Sequence, residues 1–225
     1  MAEGRVRIVI VEDHLIFRDV LRKVCAVELV HDVVGEAADG LTAIDLIGRL
    51  RPDVVLLDLQ LPVLGGFGVI AAIAESAPKA KVVILSSHCD AFTVHRAEDA
   101  RVRGFVDKNT SSVEAVKQAL GAIEKGGTWF SPAFRTIQAE LRRDPNAFDK
   151  LMTKRECEVL GHAGVPLSDE VTGAALGISR ETVEKHRLNL IRKLGLKTNT
   201  DLVRYAQTNG FTLGAKPAGG GSLIP

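Results

Sequence analysis

The chain has 225 residues, 46% hydrophobic and 25% charged, a globular balance that excludes a disordered or membrane-embedded class and leaves room for one or two domains. Its net charge of +1 hides a gradient: residues 1 to 126 carry 15 Lys+Arg against 18 Asp+Glu (−3), and residues 127 to 225 carry 14 against 10 (+4). No apolar run reaches the roughly 18 residues that cross a bilayer and no signal-peptide core opens the chain, so a cytoplasmic protein without a membrane partner is expected.

In chain order, Val6 to Val11 is a β-branched run that ends at Glu12-Asp13 and predicts a first strand delivering carboxylates at its carboxyl end. Leu15 to Glu28 predicts a helix with Phe17, Val20, Leu21 and Val24 on one stripe, and Cys25 falls near that stripe as a core residue. With Cys89 and Cys157 it shows no paired spacing, which predicts free thiols in a reducing compartment. Asp32 to Ala37 is a weaker strand, and Leu41, Ile44, Ile47 and Leu50 repeat at helical spacing until Pro52 stops them. Val54 to Leu57 then run straight into Asp58. A segment apolar on both sides fits a parallel strand covered on both faces.

Beyond Gly65-Gly66, Val69, Ile70 and Ile73 predict another helix, and Lys81 to Leu85 a fourth strand ending at Ser86-Ser87. Phe92 to Ala100 predicts a helix, Phe105-Val106 a fifth strand ending near Lys108, and Val113, Val116, Leu120 and Ile123 the stripe of a fifth helix. Strands alternating with helices make a doubly wound α/β domain, because parallel strands need helical crossovers. In the flavodoxin-like order 2-1-3-4-5, the ends of strands 1 and 3 meet at the switch point where ligands bind. That order places Glu12, Asp13 and Asp58 in one crevice, with Ser86 and Lys108 on the same rim.

Asp58 taken alone reads as a turn-former. Three carboxylates in one crevice instead invite a hard divalent cation, Mg²⁺ being the natural choice. A cation beside a lysine and a hydroxyl suits a phosphoryl group, with Asp58 as nucleophile and an aspartyl phosphate as product. These residues, with Leu61-Pro62 after Asp58, resemble the acidic pair, phosphoacceptor, switch hydroxyl and lysine of bacterial response-regulator receiver domains. The resemblance implies a histidine kinase as phosphodonor, the Gln60 backbone carbonyl as a further metal ligand, and Phe105 as an aromatic switch residue that moves inward when Ser86 meets the phosphoryl group. Gly65, Arg101 and Asn109 depart from the pattern at positions where Asp, Gly and Pro are common. Arg101 is therefore expected to adopt a left-handed cap.

Gly126-Gly127 ends the fifth helix, Ser131-Pro132 opens a linker helix over Ala133 to Arg143, and Trp129 is expected to anchor the linker. Thr153 with Glu156 forms a capping box, Ser168 starts a helix that Gly177 ends, and Ser179 caps another that Gly195 closes. A short helix, a glycine turn and a second helix make the unit that reads the DNA major groove. Projection of Ser179 to Leu194 puts Val183, Leu190 and Leu194 on a packing face with His186 at its margin. Glu181, Lys185, Leu188 and Arg192 lie opposite, with Asn189 and Glu184 at the edges. Seven basic residues against three acidic ones within residues 179 to 204 suit phosphate contacts, although a solvated helix face explains the charge equally well.

The pattern Leu176-Gly-Ile-Ser179-x-x-Thr182-Val183-x-x-His186, completed by Lys193-Leu194-Gly195, resembles the LuxR-type helix-turn-helix. Joined to a receiver, it resembles the NarL/FixJ class of response regulators. Thr172 and Gly173 stand where an apolar residue and Ala are usual, which predicts a less stable helix before the turn. The resemblance implies DNA contacts from Arg180, Thr182, Glu184, Lys185, Leu188, Asn189, Arg192 and Lys193, and a homodimer through the last helix, Thr200 to Asn209.

The expected organisation is a receiver over 1–126, a linker over 127–147, an all-α helix-turn-helix domain over 148–213 and a disordered tail over 214–225. The expected function is transcriptional regulation through double-stranded DNA, controlled by phosphorylation of Asp58. The alternative is a phosphorylation-independent regulator whose receiver is an interaction module. An enzyme is not expected, since Gln60 stands where a phosphohydrolase would need a second aspartate.

Overall fold

Residues 5–144, 147–164, 167–208 and 211 are described by a computed structural model, in which six parallel strands lie in the order β2-β1-β3-β4-β5-β6. They are β1 (Arg7–Val11), β2 (Asp32–Ala37), β3 (Val54–Asp58), β4 (Lys81–Ser86), β5 (Gly104–Asp107) and β6 (Trp129–Phe130). The first five reproduce the expected doubly wound order. Every residue of β3 is buried and so is every residue of β4 after Lys81, which is why these strands read as unbroken apolar runs rather than alternating ones.

The crossovers are α1 (Leu15–Lys23), α2 (Gly40–Leu50), α3 (Gly66–Ser76), α4 (Ala91–Asp99) and α5 (Val113–Glu124). One face of the sheet packs Ile8, Ile10, Leu56, Val83 and Leu85 against Leu21, Cys25, Val116, Leu120 and Ile123. Asp39 caps α2 by accepting from Thr42 N at 2.9 Å, and Arg51 before Pro52 takes a left-handed turn, φ 46°. Arg101 does the same after α4, φ 52°, as its place in the glycine-favouring cap predicted.

Two local expectations are corrected. The helix expected to run from Leu15 to Glu28 is α-helical only to Lys23, and Val24–Glu28 form a π-helical turn. There Leu29 N–H reaches Val24 O at 3.0 Å and the chain leaves through Val30 at φ 57°. Apolar periodicity cannot register such a widening, because the stripe survives it. The second correction is β6, which pairs in parallel with β5. Two residues are too few for any period to show. Trp129, expected as a linker anchor, lies in this strand, packed against the sheet core.

The chain divides into two compact units, the first built mainly on residues up to Thr136 and the second on residues from Ile137. Helix α6 spans Pro132–Arg143. The second unit contains the short α7 (Phe148–Leu151), which the sequence did not signal, then α8 (Lys154–Ala163), α9 (Asp169–Leu176), α10 (Arg180–Lys193) and α11 (Asn199–Thr208). Val159, Leu160, Val183, Leu190, Leu202 and Ala206 form its buried interior. Asn209 of the expected last helix and the tail from 214 lie outside the described residues. Among those described, no helix is long and apolar enough to cross a membrane.

Candidate functional site

Parallel strands that end together deliver their last side chains to one rim. Glu12 and Asp13 follow β1, Asp58 closes β3, Ser86 closes β4 and Lys108 follows β5. Lys108 Nζ donates to Glu12 Oε2 at 2.6 Å and to Asp58 Oδ2 at 2.9 Å. Both carboxylates are almost wholly buried, so the ammonium is what allows two negative charges to stay side by side. Burial pushes the Glu12 carboxyl above its usual range; the Lys108 hydrogen bond pulls it back and the neighbouring Asp58 charge pushes it up again.

The second Asp58 oxygen accepts from Gln60 N at 3.0 Å, and Glu12 Oε1 accepts from His14 N at 3.2 Å. Lys108 is also held from outside, its Nζ lying 4.7 Å from the centre of the Phe17 ring. Glu12, Asp13, His14 and Asp58 each present a ligand atom, all within 4.8 Å of one another. Against three carboxylates stand one lysine and, when protonated, one histidine, a set that suits a hard divalent cation. The strand ends point to Glu12, Asp13 and Asp58, and the structure adds His14 to them. Its signal was only its place next to the acidic pair, with Nδ1 3.0 Å from Asp13 Oδ1 and 3.3 Å from Glu12 Oε1. Phe17 falls on the apolar stripe of its helix, and no spacing in the sequence encodes its contact with Lys108.

The loop after Asp58 is tightly built. Leu64 N–H bonds to Pro62 O at 2.8 Å across Val63, which takes φ 68°, a γ-turn that is costly for a β-branched residue. A Cβ on Gly66 would sit 2.4 Å from Asp58 O, so only glycine lets α3 start this close to the carboxylate. Ser86 is fully buried, its Oγ accepting from His88 N at 3.0 Å. Asn109 replaces the common proline productively: its N–H bonds to Asp107 Oδ1 at 3.0 Å and its Nδ2 to Ser87 O at 2.5 Å. Phe105 is fully buried in β5. Far from this rim, burial pushes the Cys25 thiol up to about 12, which leaves an inert core group.

In the second unit the capping box is complete: Thr153 N donates to Glu156 Oε2 at 2.8 Å and Glu156 N to Thr153 Oγ1 at 3.3 Å. The same Glu156 oxygen accepts from Lys193 Nζ at 2.7 Å. Burial pushes Glu156 up, but the bonds from Lys193 and Thr153 outweigh it, so the carboxyl lies below the usual range. Gly177 at φ 66° ends α9, and Ser179 Oγ accepts from Thr182 N at 3.2 Å to start α10.

The basic residues of α10 separate into two sets. Arg187 is buried, with Nε 2.8 Å from Asp169 Oδ1, which removes it from the seven counted for phosphate contact. Lys193 is held by Glu156, and Arg180 pairs with Glu170 at 2.9 Å on an exposed surface. Thr182 shares its hydroxyl with Ser179 at 3.0 Å. Glu184, Lys185, Leu188 and Arg192 are exposed and Asn189 half-buried, so the face opposite Val183 and Leu190 is open, as the projection implied. Leu188, 57% exposed, is an apolar group that this face does not need for packing.

Residues 8–120 match the model of the response regulator receiver domain and residues 150–206 that of the bacterial regulatory proteins of the luxR family. The chain is 31% identical over 208 residues to the transcriptional regulatory protein MctR of Rhizobium johnstonii, covering 92% of this chain and 95% of MctR. It is 32% identical over 197 residues to the nitrate/nitrite response regulator protein NarP of Escherichia coli, covering 85% and 90%. A LuxR-family response regulator from Aurantimonas superposes with a TM-score of 0.59 at 32% identity, over 63% of this chain and 100% of that one. RcsB from Salmonella enterica serovar Typhimurium shares the fold at a TM-score of 0.70 and 22% identity, over 90% and 98%. The buried acid–lysine rim and the capped helix pair therefore sit in one chain for a familial reason: it belongs to the NarL/FixJ-type two-component response regulators, which join a receiver to a LuxR-type DNA-binding domain.

Proposed function

We propose that Asp58 is the phosphoacceptor of this regulator and that a sensor histidine kinase is its donor. An Asp58 oxygen attacks phosphorus in line as the bond from phosphorus to the donor nitrogen breaks, and the donor imidazole, protonated on its other ring nitrogen, takes the bonding pair and leaves neutral. Lys108 exchanges a carboxylate for a phosphoryl oxygen, and the Ser86 hydroxyl donates to another. A Mg²⁺ ion, held by Glu12, Asp13, Asp58 and the Gln60 backbone carbonyl, would neutralise charge on the transferring group when bound. Phe105 answers Ser86. The observation that carries this reading is Lys108 Nζ standing within 2.9 Å of Asp58 and 2.6 Å of Glu12.

The output is DNA binding rather than turnover. Residues 1–126 act as receiver, 127–147 as linker and 148–213 as the DNA-binding domain, used as a homodimer through α11. Within α10, Lys185 and Arg192, which have no ion pair among the described residues, offer cationic groups to phosphate or base edges, with Arg180, Thr182, Glu184, Leu188, Asn189 and Lys193 around them. Such work belongs in the cytoplasm, where the DNA is.

Incubation with Mg²⁺ and acetyl phosphate should add one phosphoryl group, read by intact-mass spectrometry, and Asp58→Asn should add none. Uptake by the Asp58→Asn variant would move the acceptor elsewhere. Equal DNA affinity with and without the donor would instead favour a receiver that acts as a phosphorylation-independent interaction module.

A further inference from the structure

Phe105 has a neighbour to which no signalling role has been given. Strand β6 is seated beside it, with Gly104 opposite Trp129 and Phe105 opposite Phe130. Two backbone bonds fix it, Trp129 N–H to Arg103 O at 3.1 Å and Ser131 N–H to Phe105 O at 2.9 Å. The approach is close enough that a Cβ on Gly104 would lie 3.2 Å from Trp129 O and 3.1 Å from Val83 Cγ1. At Ser131 the chain turns into α6, its Oγ accepting from Phe134 N at 3.4 Å. Phe134, in the first turn of α6, is fully buried. Its ring centre lies 5.0 Å from that of Phe105 and 4.7 Å from that of Phe130.

Phe105 and Phe134 are fully buried and in ring contact, with the half-buried Phe130 stacked on Phe134, so the two buried rings cannot move independently in a close-packed interior. A rotamer change at Phe105 must displace Phe134 or open a cavity beside it, and Phe134 is carried on a helix, which moves as a unit. Resting on Asp58 as the acceptor, we propose that Phe134 is a positioning residue for Phe105, and that β6 with the first turn of α6 is the arm through which the state of Asp58 leaves the receiver. Phe134 holds Phe105 in its buried position. The coupling is reciprocal: whatever phosphorylation does to this packing, the packing does to the affinity of the acceptor site for a phosphoryl group.

Trp129 is the only tryptophan in the chain, and as the first residue of β6 it lies within the arm, packed against the sheet core. Its emission, measured in the full chain with Mg²⁺ and with or without beryllofluoride as phosphoryl mimic, is therefore a built-in reporter. Beryllofluoride binding is followed separately by fluorine NMR. The expected result is an emission change in the wild type that Asp58→Asn abolishes. Phe134→Ala should shrink that change and weaken beryllofluoride binding by about fivefold or more, the lower end of ordinary coupling between sites. Phe134→Tyr, which keeps the ring, should restore both.

Beryllofluoride that binds the wild type without altering Trp129 emission would overturn the proposal. So would a Phe134→Ala variant that keeps either the wild-type affinity or the wild-type emission change. If that variant does not fold, judged by circular dichroism, Phe134→Leu carries the same criteria, since it keeps apolar volume but removes the ring face. No beryllofluoride binding to the wild type would instead sink the acceptor assignment, and the arm with it.

Discussion

The rim of the sheet and helix α10 use charge in opposite ways. On the rim, the half-buried Lys108 ammonium sits between Glu12 and Asp58, and in the function proposed above it changes partners when a phosphoryl group arrives. On α10, buried Arg187 and exposed Lys193 pair with Asp169 and Glu156, whereas the exposed Lys185 and Arg192 have no ion pair among the described residues. The contrast teaches that a basic residue in a DNA-reading helix is not thereby a DNA contact. Its partner within the fold decides whether it stabilises the domain or serves the ligand.

That division can be broken most strongly at Arg187. Arg187→Ala leaves Asp169 without its buried partner and should cost about 2 to 3 kcal/mol of stability in urea unfolding, the low end because Asp169 keeps contact with water. Lys185→Ala and Arg192→Ala should do the reverse. Each should leave stability within about 0.5 kcal/mol of wild type, yet weaken DNA binding about tenfold and lower the salt slope by about one for each phosphate no longer neutralised. Arg187→Ala that unfolds like wild type, or exposed-residue variants that bind DNA like wild type, would erase the distinction.

A subtler effect is expected at Glu156. Its folded carboxyl lies below the usual range, so its stabilising share is fully present above the unfolded value, about 4 to 4.5, and is lost as pH falls through the folded one. Glu156→Gln should therefore melt below wild type at neutral pH, and the gap should close as the pH drops below about 4. A gap that stays constant with pH would mean that the capping geometry, rather than the charge, supplies the stability.

The smallest change sharpens the picture of α9. Thr172 is fully buried, and its hydroxyl has no hydrogen-bond partner among the described residues. Thr172→Val should raise stability by about 1 kcal/mol in thermal unfolding, since it removes an unsatisfied polar group at nearly constant volume; no gain would show that the hydroxyl is satisfied in solution. Gly173 tells a different story from the one its position suggests. Helix propensity favours Ala there, but a Cβ would meet Ile178 O at 2.6 Å, so the glycine serves the close turn into α10.

The sequence by itself determined the parallel strand order, because unbroken apolar runs such as Val54 to Leu57 demand cover on both faces. It determined the convergence of Glu12, Asp58 and Lys108, because strand ends in such a sheet share one rim. It also determined the capped helix pair, because capping boxes and cap glycines are local signals written within a few residues. Tertiary structure alone decided which charges are paired within the fold, since Arg187 and Lys193 look no different from Lys185 and Arg192 until Asp169 and Glu156 are brought to them across the chain. It alone decided that Trp129-Phe130 would become a sixth strand and that Phe134 would lie against Phe105. A two-residue strand has no period, and contact between rings 29 positions apart depends on packing that no local pattern encodes.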